Sequence, residues 1–192
     1  MKLVRFGVGI SMAILTDIAF GALVVHLFGK VFLLNITTYF YLIGMFLALL
    51  PDIDTPIMWL YKHGHFSIHR LGTHYPLIII PVICLPLIIL SVIWPILGYW
   101  ALVAFICLLF HYIHDSIGKE VGEKWLWPID KKNYYKFFIK KNGKRRIVVA
   151  LNEKEIKVRS IEEWLKDSLR PTPTSIIGVV IVIVVILIIA FW

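Results

Sequence analysis

The chain has 192 residues, of which 59% are hydrophobic and 17% charged, and its mean hydropathy is +0.83. Soluble domains are about half apolar and about a quarter charged, so this composition excludes an ordinary soluble protein. The net charge is +8 at pH 7, and most of the basic residues follow residue 130. Cys84 and Cys107 lie inside apolar segments, which predicts small core residues rather than a disulfide or a metal-binding pair.

Five apolar segments have, or nearly have, the length of about 20 residues that a membrane-spanning helix needs. They are residues 6–28, 31–50, 76–97, 99–115 and 175–192. The sequence therefore predicts an all-α polytopic membrane protein with five transmembrane helices. The basic start of the first segment imitates a signal peptide. We expect it to be retained, because it carries Asp17 and lacks a small-residue cleavage site.

The basic residues predict the orientation of these helices. Five alternating crossings place the N-terminus, residues 51–75 and residues 116–174 on one side of the membrane. That side holds 19 of the 20 Lys and Arg residues, and Lys30 alone falls on the other. The positive-inside rule makes the basic side cytoplasmic. We therefore expect a multi-pass protein of the cytoplasmic (inner) membrane, with its N-terminus in the cytoplasm and its C-terminus outside.

Residues 130–174 form a segment of a different kind, with 13 of the basic residues. Asn142-Gly143 between two β-prone runs predicts a two-residue β-hairpin turn. Ser160 followed by Glu163 is a capping box that predicts a short helix. The chain thus divides into a four-helix membrane domain (1–129), a small cytoplasmic insert made of a β-hairpin and a helix (130–174), and a C-terminal transmembrane helix (175–192).

Acidic residues and histidines gather at the ends of the apolar segments, all on the predicted cytoplasmic side. Ionisable side chains are costly at a bilayer edge and indicate a functional site by default. Aspartate and histidine are also common ligands of zinc and similar cations. The six candidate ligands are Asp52, Asp54, His69, His74, His111 and Asp115.

Each pair alone has a simple structural explanation. The Asp-x-Asp pair could cap a helix end, and the two histidines of the second pair could be interfacial residues. His111 and Asp115 are four residues apart, so they share a helix face and could hydrogen-bond there. Together, however, the three pairs would leave several carboxylates and imidazoles without compensating charge. The sequence therefore predicts a site for one or two divalent cations, with zinc as the first choice.

The order of these motifs resembles the YdjM-like family of inner-membrane metal-dependent hydrolases, sometimes labelled LexA-binding. The shared motifs are Leu50-Pro51-Asp52-Ile53-Asp54, His69-Arg70-x-x-Thr73-His74, His111-x-x-x-Asp115, Gly122 and Leu126-Trp127-Pro128, within about residues 45–128. The resemblance implies a hydrolase distantly related to the zinc-dependent phospholipase C and P1 nuclease superfamily. The same six residues would then hold its metal. Where the family usually has a histidine near the start of the first helix, this chain offers Asp17 as a candidate substitute.

Two functions stay open at this stage. The first is a membrane-embedded hydrolase that acts on phosphoester or phospholipid substrates through a metal-activated water. Asp52 or Asp54 would be a ligand or the general base, and Arg70 would hold a phosphate oxygen unless it is an interfacial anchor. The alternative is a non-enzymatic membrane scaffold with a structural metal and a basic loop that recruits a partner.

The basic insert favours particular partners. Its Lys and Arg residues suit anionic lipid or a protein partner, and nucleic acid is the less favoured interpretation, although Tyr134 and Phe137 are interleaved with the charges. Membrane lipid and an amphiphilic phosphoester substrate complete the expected partners. Glu120 and Glu123 follow the last Asp/His motif closely enough to complete a metal shell, but we expect them to be solvated loop acids.

Overall fold

The computed structural model describes residues 2–54, 72–117, 122–141, 144–152, 155 and 173–191. Within these ranges there are five α-helices, one 3-10 turn and one two-stranded sheet. The helices are α1 (Lys2–Val31), α2 (Thr38–Leu49), α3 (Pro76–Leu90), α4 (Ile96–Ile117) and α5 (Pro173–Phe191); the 3-10 turn is Leu50–Ile53, and the strands are β1 (Asn133–Lys141) and β2 (Lys144–Asn152).

Helices α1, α2 and α4 meet at a shared apolar core. Its buried residues come from all three helices and are Val24, Val25, Ala48, Tyr99, Val103 and Cys107. Helix α3 packs against α4, α5 packs against α1, and β1 contacts α4. Cys84 and Cys107 are both buried and unbonded to each other, in agreement with the prediction of small core residues.

Two glycines allow α1 and α2 to approach each other closely. A Cβ atom on Gly21 would collide with the backbone of Gly44, and one on Gly44 would collide with the side chain of Val25. Small residues at a helix contact let the two backbones come together in this way. The contact lies one turn from Asp17 in α1 and one turn from Ala48 in α2.

The prediction of five transmembrane helices is wrong. In the described residues only Ile14–Val31 and Ile96–Ile117 are both long and apolar enough to cross a membrane. Helices α2 and α3 have 12 and 15 residues, so they are about 18 and 22 Å long against a hydrocarbon core of about 30 Å.

The apolar runs were longer than the helices within them. Pro51 lies in the 3-10 turn that follows α2, and α3 ends at Leu90. The length of an apolar run therefore did not predict the length of the helix within it. The orientation derived from five crossings loses its basis with the count.

The hairpin of the insert is present. Strands β1 and β2 pair in antiparallel fashion, with Lys141 opposite Lys144 and Asn133 opposite Asn152, and the predicted turn residues Asn142 and Gly143 lie outside the described residues. An isolated backbone bridge joins Glu123 to Tyr135 of β1, so the chain before the hairpin is bonded to it. The helix predicted from Ser160 lies outside the described residues.

Candidate metal centre

Four of the six predicted ligands converge at the C-terminal end of α4. His74 Nε2 lies 3.5 Å from Asp52 Oδ1 and 3.9 Å from Asp115 Oδ2. His111 Nε2 lies 3.6 and 3.9 Å from the same two oxygens. Ligand atoms about 2.0–2.2 Å from a tetrahedral zinc ion are about 3.3–3.6 Å apart. The four nitrogen–oxygen distances are at or slightly above that separation, and Asp52, His74 and His111 each offer a ligand atom within 4.8 Å of the other two.

Three separate elements bring these side chains together. Asp52 lies in the 3-10 turn that follows α2, and His74 lies in the turn that precedes α3. His111 and Asp115 are four residues apart on α4, so they stand one above the other on the same face. The departure from α-helical geometry after Leu49 brings Asp52, but not Asp54, to the two histidines.

His111 is held from the side away from the cluster. Its Nδ1 lies 3.1 Å from the carbonyl oxygen of Ala48 and 3.3 Å from Asp17 Oδ2. A carbonyl oxygen only accepts hydrogen bonds, so Nδ1 carries a proton and donates it. Nε2 faces Asp52 and Asp115, and it can bind a cation once it carries no proton. This is the arrangement of a metal-binding histidine, whose other nitrogen donates to a carbonyl or a carboxylate.

His74 reaches the same state through a local chain of hydrogen bonds. The hydroxyl of Thr73 donates to Asp54 Oδ2 at 2.8 Å, so its oxygen is left to accept from His74 Nδ1 at 3.0 Å. The tyrosine hydroxyl of Tyr112 donates to the carbonyl of Thr73 at 2.8 Å and fixes the turn. Asp54 therefore supports the orientation of His74, and the Nε2 lone pair of His74 faces the cluster.

Burial divides the cluster into a sealed side and an open side. The histidine side chains are 0% and 1% exposed, whereas the Asp52 side chain is 25% exposed and that of Asp115 is 16% exposed. His111 Nε2 is buried and makes no hydrogen bond to any described residue. A buried ring nitrogen with its lone pair aimed at two carboxylate oxygens suits a divalent cation, and the mixed donor set suits zinc or a similar ion.

The remaining predicted site residues have different positions. His69 and Arg70 lie outside the described residues, as does Glu120. His114 is beside the site rather than in it: its ring stacks on Phe110, and its Nδ1 lies 3.8 Å from Asp115 Oδ1.

Two residues of the site had been given no firm role. Asp17, named only as a substitute for a family histidine, is 2% exposed and contacts His111. Glu123 is 0% exposed, so the prediction of a solvated loop acid is wrong. Ligand-capable atoms of Glu123, His74 and Asp115 all lie within 4.8 Å of one another. Their contacts cross between distant elements, so no local motif signals either residue.

The described residues contain two helices that are long and apolar enough to cross a membrane, and a mostly buried Asp/His cluster at the end of one of them, which fits a helical membrane protein. A family model described as YdjM inner membrane protein matches residues 12–192, and the chain belongs to this family. The match confirms the resemblance read from the motifs and extends it over nearly the whole chain. Comparisons with curated proteins and with solved structures give no significant match.

Proposed function

We propose that this protein is a metal-dependent hydrolase of the inner membrane whose site is formed by Asp52, His74, His111 and Asp115. The observation that carries the proposal is the state of the two histidines. Each has its Nδ1 engaged by an acceptor outside the cluster, and each directs Nε2 towards the same two carboxylate oxygens. A divalent cation, with zinc as the first choice, is the ligand that matches this set of donors.

The open side of the cluster favours catalysis over a purely structural role. A structural zinc site has four protein ligands, whereas a catalytic one keeps a position for water. Such a position is open here if Asp52 acts as a base rather than as a ligand, or if the ion takes more than four donors. Here the imidazoles close one side, while Asp52 and Asp115 border the exposed side. A substrate can therefore approach past the carboxylates without displacing either histidine.

The chemistry divides between the cation and the chain. A cation held here would polarise an ester oxygen and make a water molecule acidic near neutral pH. Asp17 and the Asp54–Thr73 pair keep the two imidazoles fixed and electron-rich. Asp52, partly exposed at the rim, is positioned to accept a proton from water or to remain a ligand. A phosphoester is the substrate we expect, with Arg70 as the holder of a phosphate oxygen.

We also propose that the site faces the cytoplasm. It lies at the end of α4, and the 13 basic residues of 130–174 follow that end directly. Segments rich in Lys and Arg next to a membrane-spanning helix remain on the cytoplasmic side. A Lys144→Cys variant should react with an impermeant thiol reagent only after the membrane is opened; the native cysteines are buried and provide a low background. Labelling in sealed cells would place the hairpin outside.

The hairpin itself is suited to contact an anionic lipid surface. Lys144, Arg145 and Arg146 are exposed along β2, and the next residues, Ile147 and Val148, are also exposed. Phe138 of β1 is 67% exposed. Apolar side chains beside basic ones can enter the interface while the charges meet acidic headgroups. Binding to vesicles that contain acidic lipid, and not to neutral vesicles, is the expected result.

The hydrolase proposal is tested on full-length protein purified gently in detergent. Its metal content is measured, the metal is removed with a chelator, and binding of Zn²⁺ is titrated. Hydrolysis of a generic phosphodiester is followed before removal, after removal and after reloading. We expect bound metal and a turnover that is lost and restored with it. Protein that neither contains nor binds a cation would end the proposal, whereas a bound cation with no turnover would favour the scaffold alternative.

A further inference from the structure

Glu123 lies where the hairpin and the helices meet. Its amide donates to the carbonyl of Tyr135 at 3.1 Å, and the amide of Tyr135 donates to the carbonyl of Glu123 at 2.7 Å. The preceding residue, Gly122, has a φ of +91°, and a Cβ atom there would collide with the backbone of Tyr135. Only a glycine fits this close approach without strain. The backbone of Glu123 is therefore fixed to β1.

The following residues are fixed to the helices. The indole nitrogen of Trp125 donates to the hydroxyl of Ser116 on α4 at 2.8 Å. The ring of Trp127 stacks on Tyr75, the residue after His74, with ring centroids 4.5 Å apart. The segment that carries Glu123 is thus held between the hairpin, the end of α4 and the turn of His74.

The Glu123 side chain points into the site from this position. It is fully buried, and one of its carboxylate oxygens lies within 4.8 Å of ligand atoms of both His74 and Asp115. His74 Nδ1 is engaged by Thr73, so only one nitrogen of His74 can bind a cation. The groups Asp52–His74–His111 and His74–Asp115–Glu123 share His74, so a cation bound at its Nε2 lies next to both.

We propose that Glu123 is a fifth protein ligand of this cation, which thereby connects the hairpin to the helices; this inference rests on the proposed function. The shell then has two imidazole nitrogens and three carboxylates, one of them supplied by the segment paired with β1. Oxygen-rich shells suit six-coordinate ions, and five protein donors leave one octahedral position for water or substrate.

Cobalt(II) reports the number of ligands through its visible absorption, so it tests the proposal without any assay of turnover. Full-length protein, stripped of metal, is titrated with Co²⁺ in the wild-type form and as Glu123→Gln. The matched control is Glu155→Gln, the same change at an exposed carboxylate that accepts a bond from the amide of Asn152, outside the candidate site.

We expect Glu123→Gln to weaken Co²⁺ binding by at least about 10-fold, the lower end of the loss seen when even a supporting group of a metal site is removed. Its absorption should also strengthen, as it does when the coordination number falls. Glu155→Gln should match the wild type in both respects. Wild-type affinity and a wild-type spectrum in Glu123→Gln would overturn the inference while leaving the proposed function intact. Wild-type protein that binds no cation would overturn both.

Hydrogen exchange in the wild-type protein gives a second test that needs no variant to fold. Because the cation would hold Glu123, adding Zn²⁺ should slow amide exchange in peptides that cover residues 122–141. The same addition should have little effect on these peptides in Glu123→Gln. Exchange in the wild-type hairpin that is unchanged by a bound cation would also overturn the inference.

Discussion

His74 and His111 present the same nitrogen to the site, but they are oriented by different parts of the molecule. His111 on α4 is held by Ala48 of α2 and by Asp17 of α1, so its orientation depends on how three helices pack. His74 is held by its neighbour Thr73, which in turn bonds to Asp54. Helix packing fixes His111, which with its contacts we call the packed half of the site; a short turn fixes His74, which with its contacts we call the local half. The packed half should be lost only when the helices no longer pack together. The local half should weaken with each hydrogen bond that is removed.

The largest effect is expected at Asp115, the carboxylate within 3.9 Å of both histidines. Asp115→Asn keeps the shape but removes the charge, so both halves lose a shared ligand. Cation affinity should fall by more than the roughly 10–100-fold that a supporting residue costs, and turnover should disappear. Metal analysis and a phosphodiester assay measure the two effects.

Asp130→Asn is the matched control for that change, because Asp130 is an exposed carboxylate that bonds to Asn133 and Tyr135 instead. It should keep wild-type metal content. An Asp115→Asn protein that binds a cation as tightly as the wild type would show that Asp115 is not a ligand.

The packed half can be tested at Asp17. Asp17→Leu removes one of the two acceptors of His111 Nδ1 and fills the space with an apolar side chain of similar size. Removing one partner of a buried ionisable pair is usually destabilising, because the other partner loses its compensation. We therefore expect a lower melting temperature together with an affinity loss of about 10–100-fold.

Asp17→Asn keeps an oxygen that can accept from His111, so its affinity should lie between those of Asp17→Leu and the wild type. The relevant measurements are thermal unfolding in detergent and Zn²⁺ titration. If Asp17→Leu bound Zn²⁺ normally, the carbonyl of Ala48 alone would be sufficient to orient His111.

The local half can be tested at Thr73. Thr73→Val removes the hydroxyl that accepts from His74 and donates to Asp54, while the backbone carbonyl still accepts from Tyr112. A water molecule can replace one hydroxyl in a turn, so we expect a loss near the lower end, about 10-fold. Thr73→Ser, which keeps the hydroxyl, is the control. Equal affinities of the valine and serine variants would show that this chain of hydrogen bonds does not orient His74.

The smallest effect concerns a carboxylate outside the site, at the base of the hairpin. The pKa of Asp130 is lowered mainly by the hydroxyl of Tyr135, which donates to Asp130 Oδ2 at 2.7 Å. The side-chain amide of Asn133, which donates to the same oxygen, is the next cause. The ordinary value is about 3.9. A carboxylate with a lowered pKa stabilises the folded form above that ordinary value, and the contribution is lost as the pH falls through the lowered value.

Amide exchange of the hairpin should therefore become faster below about pH 4, relative to the intrinsic rate. In Tyr135→Phe, which lacks the bonding hydroxyl, this additional change should be smaller. An identical pH dependence in the two proteins would show that the bond between Tyr135 and Asp130 does not contribute to hairpin stability.

The sequence predicted the parts of the site that depend on local spacing. His111 and Asp115 share a face because they are four residues apart. The sequence named Asp17 only as a substitute for a family histidine and Glu123 only as an acid near the site. It did not predict their contacts, which join residues 94 and 49 positions apart along the chain, respectively. Those contacts follow from helix packing and from the backbone bridge to β1, neither of which leaves a local pattern.

The hairpin could be predicted because its signal is local, whereas the number of membrane spans could not be predicted because it has no local signal. Asn142-Gly143 specifies a turn within a few residues, and the two strands pair around it. The length of a spanning helix depends instead on where a continuous helix ends inside an apolar run. Composition does not mark the end of α3 at Leu90, because only Ser91 separates it from the equally apolar Val92, Ile93 and Trp94.

The close contact of Gly21 with Gly44 has a consequence four residues further along each helix. Asp17 lies one turn before Gly21, and Ala48 lies one turn after Gly44. The helix spacing set at the glycines therefore also sets how close the Asp17 carboxylate and the Ala48 carbonyl come to His111. A single added methyl group at either glycine would separate the two acceptors of one imidazole proton. The distance between α1 and α2 thus helps to determine how readily His111 donates electrons to a cation. Two glycines thereby control a residue that neither of them contacts.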